Sequence, residues 1–204
     1  MFFEGIMKLK VNIRVDYISL LIPLMLLIEG RIGYVIALLS AAAIHECGHL
    51  IAARLLRIPL SSLHISILGA CLELGDPLLS YRREWLLCAT GPLFSILFSA
   101  FSFALAYMWP QFHLFVESGA ISAALGIINL LPIGWLDGGR MFRAVCYQLL
   151  PQAIARVLLR AVSFLCFLTL WMISVYLLLR AGNSLSLFVF SFSLFLRFFL
   201  METE

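Results

Sequence analysis

The sequence concentrates its chemistry in five consecutive residues, His45-Glu46-Cys47-Gly48-His49. Histidines four apart share one face of a helix, so both imidazoles can grip one metal ion. Glu46 stands about 100° around from His45, near enough to handle a proton on a metal-activated water without being a ligand. Cys47, about 200° around, points elsewhere, and Gly48 removes a side chain and lets another backbone come close. The run 32–53 that carries these residues holds no Lys or Arg. Ionisable groups inside such an apolar run are costly and face a cavity or a functional site.

Two histidines leave a catalytic zinc site short of its usual three protein ligands. Asp137 is the candidate for the third. His49 stands five residues before Arg54, and Asp137 three before Arg140. If both spans run outside to inside, the two reach a similar depth, about 7.5 Å below the basic end for His49. Asp16 and Asp76, the other aspartates, fall in or beside loops. Asn129 and Asp137 bracket Pro132 and Gly134. The proline removes a helical hydrogen bond and the glycine loosens the backbone, so a span ending at Asp137 should unwind before it. Asn129 offers an amide there, for substrate backbone or for a core hydrogen bond.

The elements that must position these groups are membrane spans. Of 204 residues, 63% are hydrophobic and 12% charged. An ordinary soluble domain is about 45–50% apolar and about 25% charged. A soluble enzyme, a disordered regulator and a nucleic-acid-binding domain are excluded on that ground. At about 20 apolar residues per span, the length holds five or six. Candidate spans are 17–28, 32–53, 85–109, 118–136, 161–179 and 181–196, which predicts an all-α polytopic membrane protein with about six transmembrane helices. Residues 59–76 differ: apolar and polar side chains alternate with period two, interrupted at Gly69. That pattern predicts a short membrane-associated β-segment, held at the interface or in a shielded cavity because an open sheet edge cannot face lipid.

With six spans, Lys8, Lys10, Arg14, Arg54, Arg57, Arg82, Arg83, Arg140, Arg143, Arg156, Arg160 and Arg197 collect on one side, leaving Arg31 and Arg180 on the other. The asymmetry predicts that both termini are cytoplasmic. The N-terminal apolar stretch reads as an uncleaved anchor, since Glu29-Gly30-Arg31 is not a small-residue cleavage site. The five cysteines include no C-x-x-C pair and read as small buried hydrophobes.

The pairing of His45-Glu46-Cys47-Gly48-His49 with Asn129-x-x-Pro132-x-x-x-x-Asp137-Gly138 resembles the site-2 proteases, intramembrane zinc metalloproteases. Leu68-Gly69-Ala70 and Gly91-Pro92 lie where that family has its membrane-dipping β-segment and a tight Gly-Pro helix start. The six-span layout and Leu136-Asp137-Gly138-Gly139 are similar to the sporulation branch, the stage IV sporulation factor FB type. The resemblance implies one zinc per chain on His45, His49 and Asp137, with Glu46 as catalytic base and Asn129 orienting substrate. It further implies a bacterial cell-membrane location, such as the membrane around the forespore. The implied partners are the lipid bilayer, a membrane-associated protein substrate such as a sigma-factor precursor, and regulatory membrane proteins. The 1–204 stretch reads as a single protease domain without the PDZ or CBS domains found in relatives.

Overall fold

The computed structural model describes residues 12–15, 21–58, 60–66, 69–74 and 80–181, with side chains over 23–58 and 80–180. Six helices lie among the described residues: α1 Leu21–Ile28, α2 Ile32–Leu55, α3 Tyr81–Met108, α4 His113–Asn129, α5 Asp137–Leu149 and α6 Gln152–Ala181. Three strands, β1 Asn12–Val15, β2 Leu60–Ser66 and β3 Gly69–Leu74, form one sheet in the order β1-β2-β3. β1 runs parallel to β2, and β3 folds back antiparallel with Leu63 opposite Leu72. The chain divides into two compact units, residues 1–130 and 131–204.

By length and composition, Ile32–Leu55, Tyr81–Met108 and Gln152–Arg180 can each cross a membrane, and His113–Asn129 is a shorter apolar helix. Of run 17–28, residues 21–28 form α1, and 17–20 lie outside the described residues. Two expectations are corrected. Run 118–136 is not one span: helix ends at Asn129, and Asp137 begins α5 rather than closing a span. Gly91-Pro92 does not start a helix, because α3 passes through it. Run 181–196 lies outside the described residues beyond Ala181.

In the first unit α2, α3 and α4 pack on one another through small residues. Ser95, Ser99 and Ser102 of α3 are buried, as are Ser118, Gly119, Ser122 and Gly126 of α4. The Ser99 hydroxyl donates to Gly119 O at 2.8 Å and the Ser122 hydroxyl to Ser95 O at 2.8 Å. Lipid is as apolar as leucine, so helices in it associate by close approach and hydrogen bonds. Leu97 and Phe101 accordingly stay on the outside of the unit.

The C-terminal end of α2 is closed by a backbone device. Ile58 N–H reaches Ala53 O at 2.8 Å and Arg57 N–H reaches Arg54 O at 3.2 Å. These are the two bonds of a Schellman cap, and Arg57 takes the left-handed conformation at φ 52° that it requires. Ile58 packs with Ala52, Ala53 and Leu87. This fixes the end of α2 one turn and a half beyond His49.

In the second unit, residues 131–136 are irregular and fastened internally. Ser163 of α6 donates to Pro132 O at 3.0 Å, Ile133 N–H to Leu131 O and Leu136 N–H to Ile133 O, both at 2.8 Å. Non-helical backbone in an apolar setting needs such partners. Ile133 and Leu136 are buried, and Gly139 packs directly on the Ile133 carbonyl, where a Cβ would overlap it. Gly138-Gly139 therefore serves close packing at the start of α5, not the end of a span.

Candidate metal centre

α2 and α3 run antiparallel, and three levels of α3 face the histidines. At one level, His49 Nδ1 lies 2.9 Å from the carbonyl of Leu87. Two turns on, His45 Nδ1 lies 2.9 Å from the hydroxyl of Ser95. Midway stands Gly91. Leu87, Gly91 and Ser95 are four apart and so share one face of the helix. The approach is close because Gly48 has no side chain: a Cβ there would lie 2.6 Å from Thr90 O.

Both imidazoles are almost fully enclosed, His45 at 2% and His49 at 5% exposure. Their Nε2 atoms face each other at 3.2 Å, with the rings nearly perpendicular. A carbonyl only accepts, so His49 carries a hydrogen on Nδ1, which in the neutral ring leaves the lone pair on Nε2. That is the tautomer a metal ligand needs, with the other ring nitrogen held from behind.

The space beside the two Nε2 atoms is kept by Gly91. A Cβ at this position would overlap His49 Nε2 and come within 2.8 Å of His45 Nε2. The groups present therefore fit a small cation: two converging imidazole nitrogens, anchored rings, and a cradle that one methyl group would fill.

The other residues singled out from sequence stand as follows. Glu46 is half-buried beside the pair in α2, and Cys47 is exposed. Its exposure corrects the reading of all cysteines as buried; it lies on the face of α2 turned away from the histidines. Cys88 and Cys146 are buried, and no described cysteine forms a disulfide. Asn129 is buried at the end of α4 and donates to Leu125 O at 3.0 Å, which engages one of its amide hydrogens within its own helix. Asp137 is half-buried in the first turn of α5, where the helix dipole favours a carboxylate.

Sequence reasoning missed Leu87 and Ser95, and it noted Gly91 only as a helix start, not as the residue that leaves room beside the histidines. A small-x-x-x-small pair, Gly91 and Ser95, was legible as a close-packing face. Its register against the histidines was not, and a main-chain carbonyl leaves no mark in a sequence.

Comparison with known proteins points to one family. The model of Peptidase family M50 matches residues 109–170. The chain is 28% identical over 123 residues, 57% of its length, to the protein named "Putative zinc metalloprotease Rip3" in two strains of Mycobacterium tuberculosis. The match spans only 31% of those relatives. The fold is similar to that of a site-2 protease from Methanocaldococcus jannaschii, with TM-score 0.68 and 18% identity over 90% of this chain and 87% of that one. Family model, curated relatives and fold thus all support a likeness to the site-2 (M50) proteases.

Proposed function

We propose that this chain is an intramembrane zinc metalloendopeptidase. One observation carries the reading: two buried histidines of H-E-x-x-H present converging Nε2 atoms beside a cradle kept open by Gly91. Their Nδ1 atoms are both engaged by α3. The M50 likeness supports the reaction class.

His45, His49 and Asp137 would hold one zinc per chain; they have the donor types and number of a catalytic site with one position left for water. When bound, zinc supplies Lewis acidity toward a water and toward the scissile carbonyl. Glu46 takes the proton from the attacking water and returns it to the leaving nitrogen. Asn129, with one amide hydrogen on Leu125 O, has its carbonyl and second hydrogen to orient substrate backbone. The packed helices α2, α3 and α4 limit the water that reaches the histidines.

The substrate in this reading is a membrane-associated protein cut in or near its membrane segment. A sigma-factor precursor in sporulation is the first candidate, on the resemblance of Leu136-Asp137-Gly138-Gly139 to the stage IV sporulation factor FB type. An anti-sigma factor is the alternative outcome of the same test. The setting is a bacterial cell membrane, around the forespore if the substrate is a sporulation factor, with regulatory membrane proteins as further partners.

The test is co-expression with tethered precursors of both kinds, paired with metal analysis of the purified chain. Glu46→Gln is expected to abolish cleavage while retaining about one zinc, because Glu46 moves protons and does not ligate. Asp137→Asn is expected to lose metal. Zinc lost from the Glu46 variant and fully kept by the Asp137 variant would reverse the two roles, and cleavage that survives Glu46→Gln would remove the protease reading.

A further inference from the structure

We infer that Ser95 is a positioning residue for His45, holding its imidazole in the one tautomer that can ligate; this rests on the metal reading above. The two histidines are oriented by unlike groups. His49 is backed by a main-chain carbonyl, which accepts and nothing else, so its hydrogen is fixed on Nδ1. His45 is backed by a hydroxyl, which donates or accepts as its neighbour demands.

That difference has a use. The 3.2 Å approach of the two Nε2 atoms accommodates one hydrogen between them, and His49 has none there to give. A hydrogen carried there by His45 Nε2 makes His45 Nδ1 an acceptor, with Ser95 donating to it. For His45 to offer a lone pair at Nε2, its hydrogen must sit on Nδ1, and Ser95 must turn to accept. A rotation of one O–H bond makes that change without moving a helix. A carbonyl at this place could not serve the first arrangement, and an alanine could serve neither.

The hydroxyl is held where this works. Ser95 is fully enclosed, and its own carbonyl accepts the Ser122 hydroxyl at 2.8 Å. Gly126 of α4 lies close against its Cβ; a Cβ added to Gly126 would stand 3.0 Å away. Ser95 is thus placed by α4 and acts on α2.

Ser99 supplies the control, since it is another buried serine of the α3–α4 interface whose hydroxyl goes to Gly119 O and touches neither a histidine nor Ser95. Zinc affinity of the chain in detergent is measured by chelator competition for wild type, Ser95→Ala, Ser95→Thr and Ser99→Ala. Ser95→Ala is expected to bind roughly ten- to a hundredfold more weakly, the range for loss of a group behind a metal-bound histidine. Ser99→Ala and Ser95→Thr are expected to stay near wild type. The visible spectrum of the cobalt-loaded chain should shift for Ser95→Ala alone. Nitrogen NMR of the zinc-loaded wild type, which needs no variant, should show His45 protonated at Nδ1.

Equal affinity of Ser95→Ala and wild type would overturn the proposal. So would an equal loss in the two alanine variants, a folded Ser95→Thr as weak as Ser95→Ala, or His45 ligated through Nδ1. Failure of the wild type to bind zinc or cobalt would instead remove the metal reading itself.

Discussion

Gly91 decides between metal binding and simple helix packing. Alanine is the better helix former, by about 1 kcal/mol in an exposed helix, so Gly91→Ala should cost α3 nothing by propensity. Its methyl group, however, would overlap His49 Nε2 and crowd His45 Nε2. Gly91→Ala is therefore expected to lose zinc and activity while its far-ultraviolet circular dichroism stays that of the wild type. Full zinc content in that variant would mean that the cradle is not the metal position. The histidines and Glu46 were legible because ligand chemistry needs particular side chains at a particular spacing. Asp137 was legible as a residue, though not as the start of a helix. What holds the histidine rings was hidden, because one anchor is a backbone atom and the other, Ser95, looked like one small residue among many in an apolar span.

The helices show where local pattern and packing part company. Residues 32–53 and 161–179 were recognisable as apolar runs without Lys or Arg, and α2 and α6 enclose them. The break after Asn129 was recognisable from Pro132 and Gly134. The restart at Asp137 was not, since a pair of glycines reads as a stop until a carbonyl is found packed against the second. Pro92 misled in the opposite sense, because a membrane helix can absorb the lost hydrogen bond. The cap of α2 was illegible for a related reason. Gly30 stands in the left-handed position after α1, a place glycine commonly fills, but after α2 the same position holds Arg57. Left-handed backbone costs a side-chain-bearing residue roughly 1 kcal/mol, so Arg57→Gly is expected to be about that much more stable than Arg57→Ala in thermal unfolding. No difference between them would show that the cap does not limit stability. Zinc content should be unchanged in both, because Arg57 lies beyond the end of the helix that carries His49.

For the molecule as a membrane protein, composition excluded soluble classes at once, and charge placement predicts its orientation. Arg54 lies in the last turn of α2 and Arg82 and Arg83 in the first turn of α3, while the connection between α3 and α4 has neither Lys nor Arg. By the positive-inside rule the first group is expected to face the cytoplasm, which would put the histidines toward the cytoplasmic half of α2. Reporter fusions after Trp109 are expected to be exported and fusions after Leu149 to be retained. The reverse pattern would invert the topology and with it the side from which water enters.

The unlike backing of the two histidines also bears on how the protein can drift through sequence space. A main-chain carbonyl survives almost any replacement at its own position, so residue 87 is free to vary with packing while His49 keeps its orientation. A hydroxyl exists only while the codon specifies it. One imidazole is thus insured against mutation and the other is not, and inactive descendants of this lineage should lose position 95 long before position 87 begins to matter.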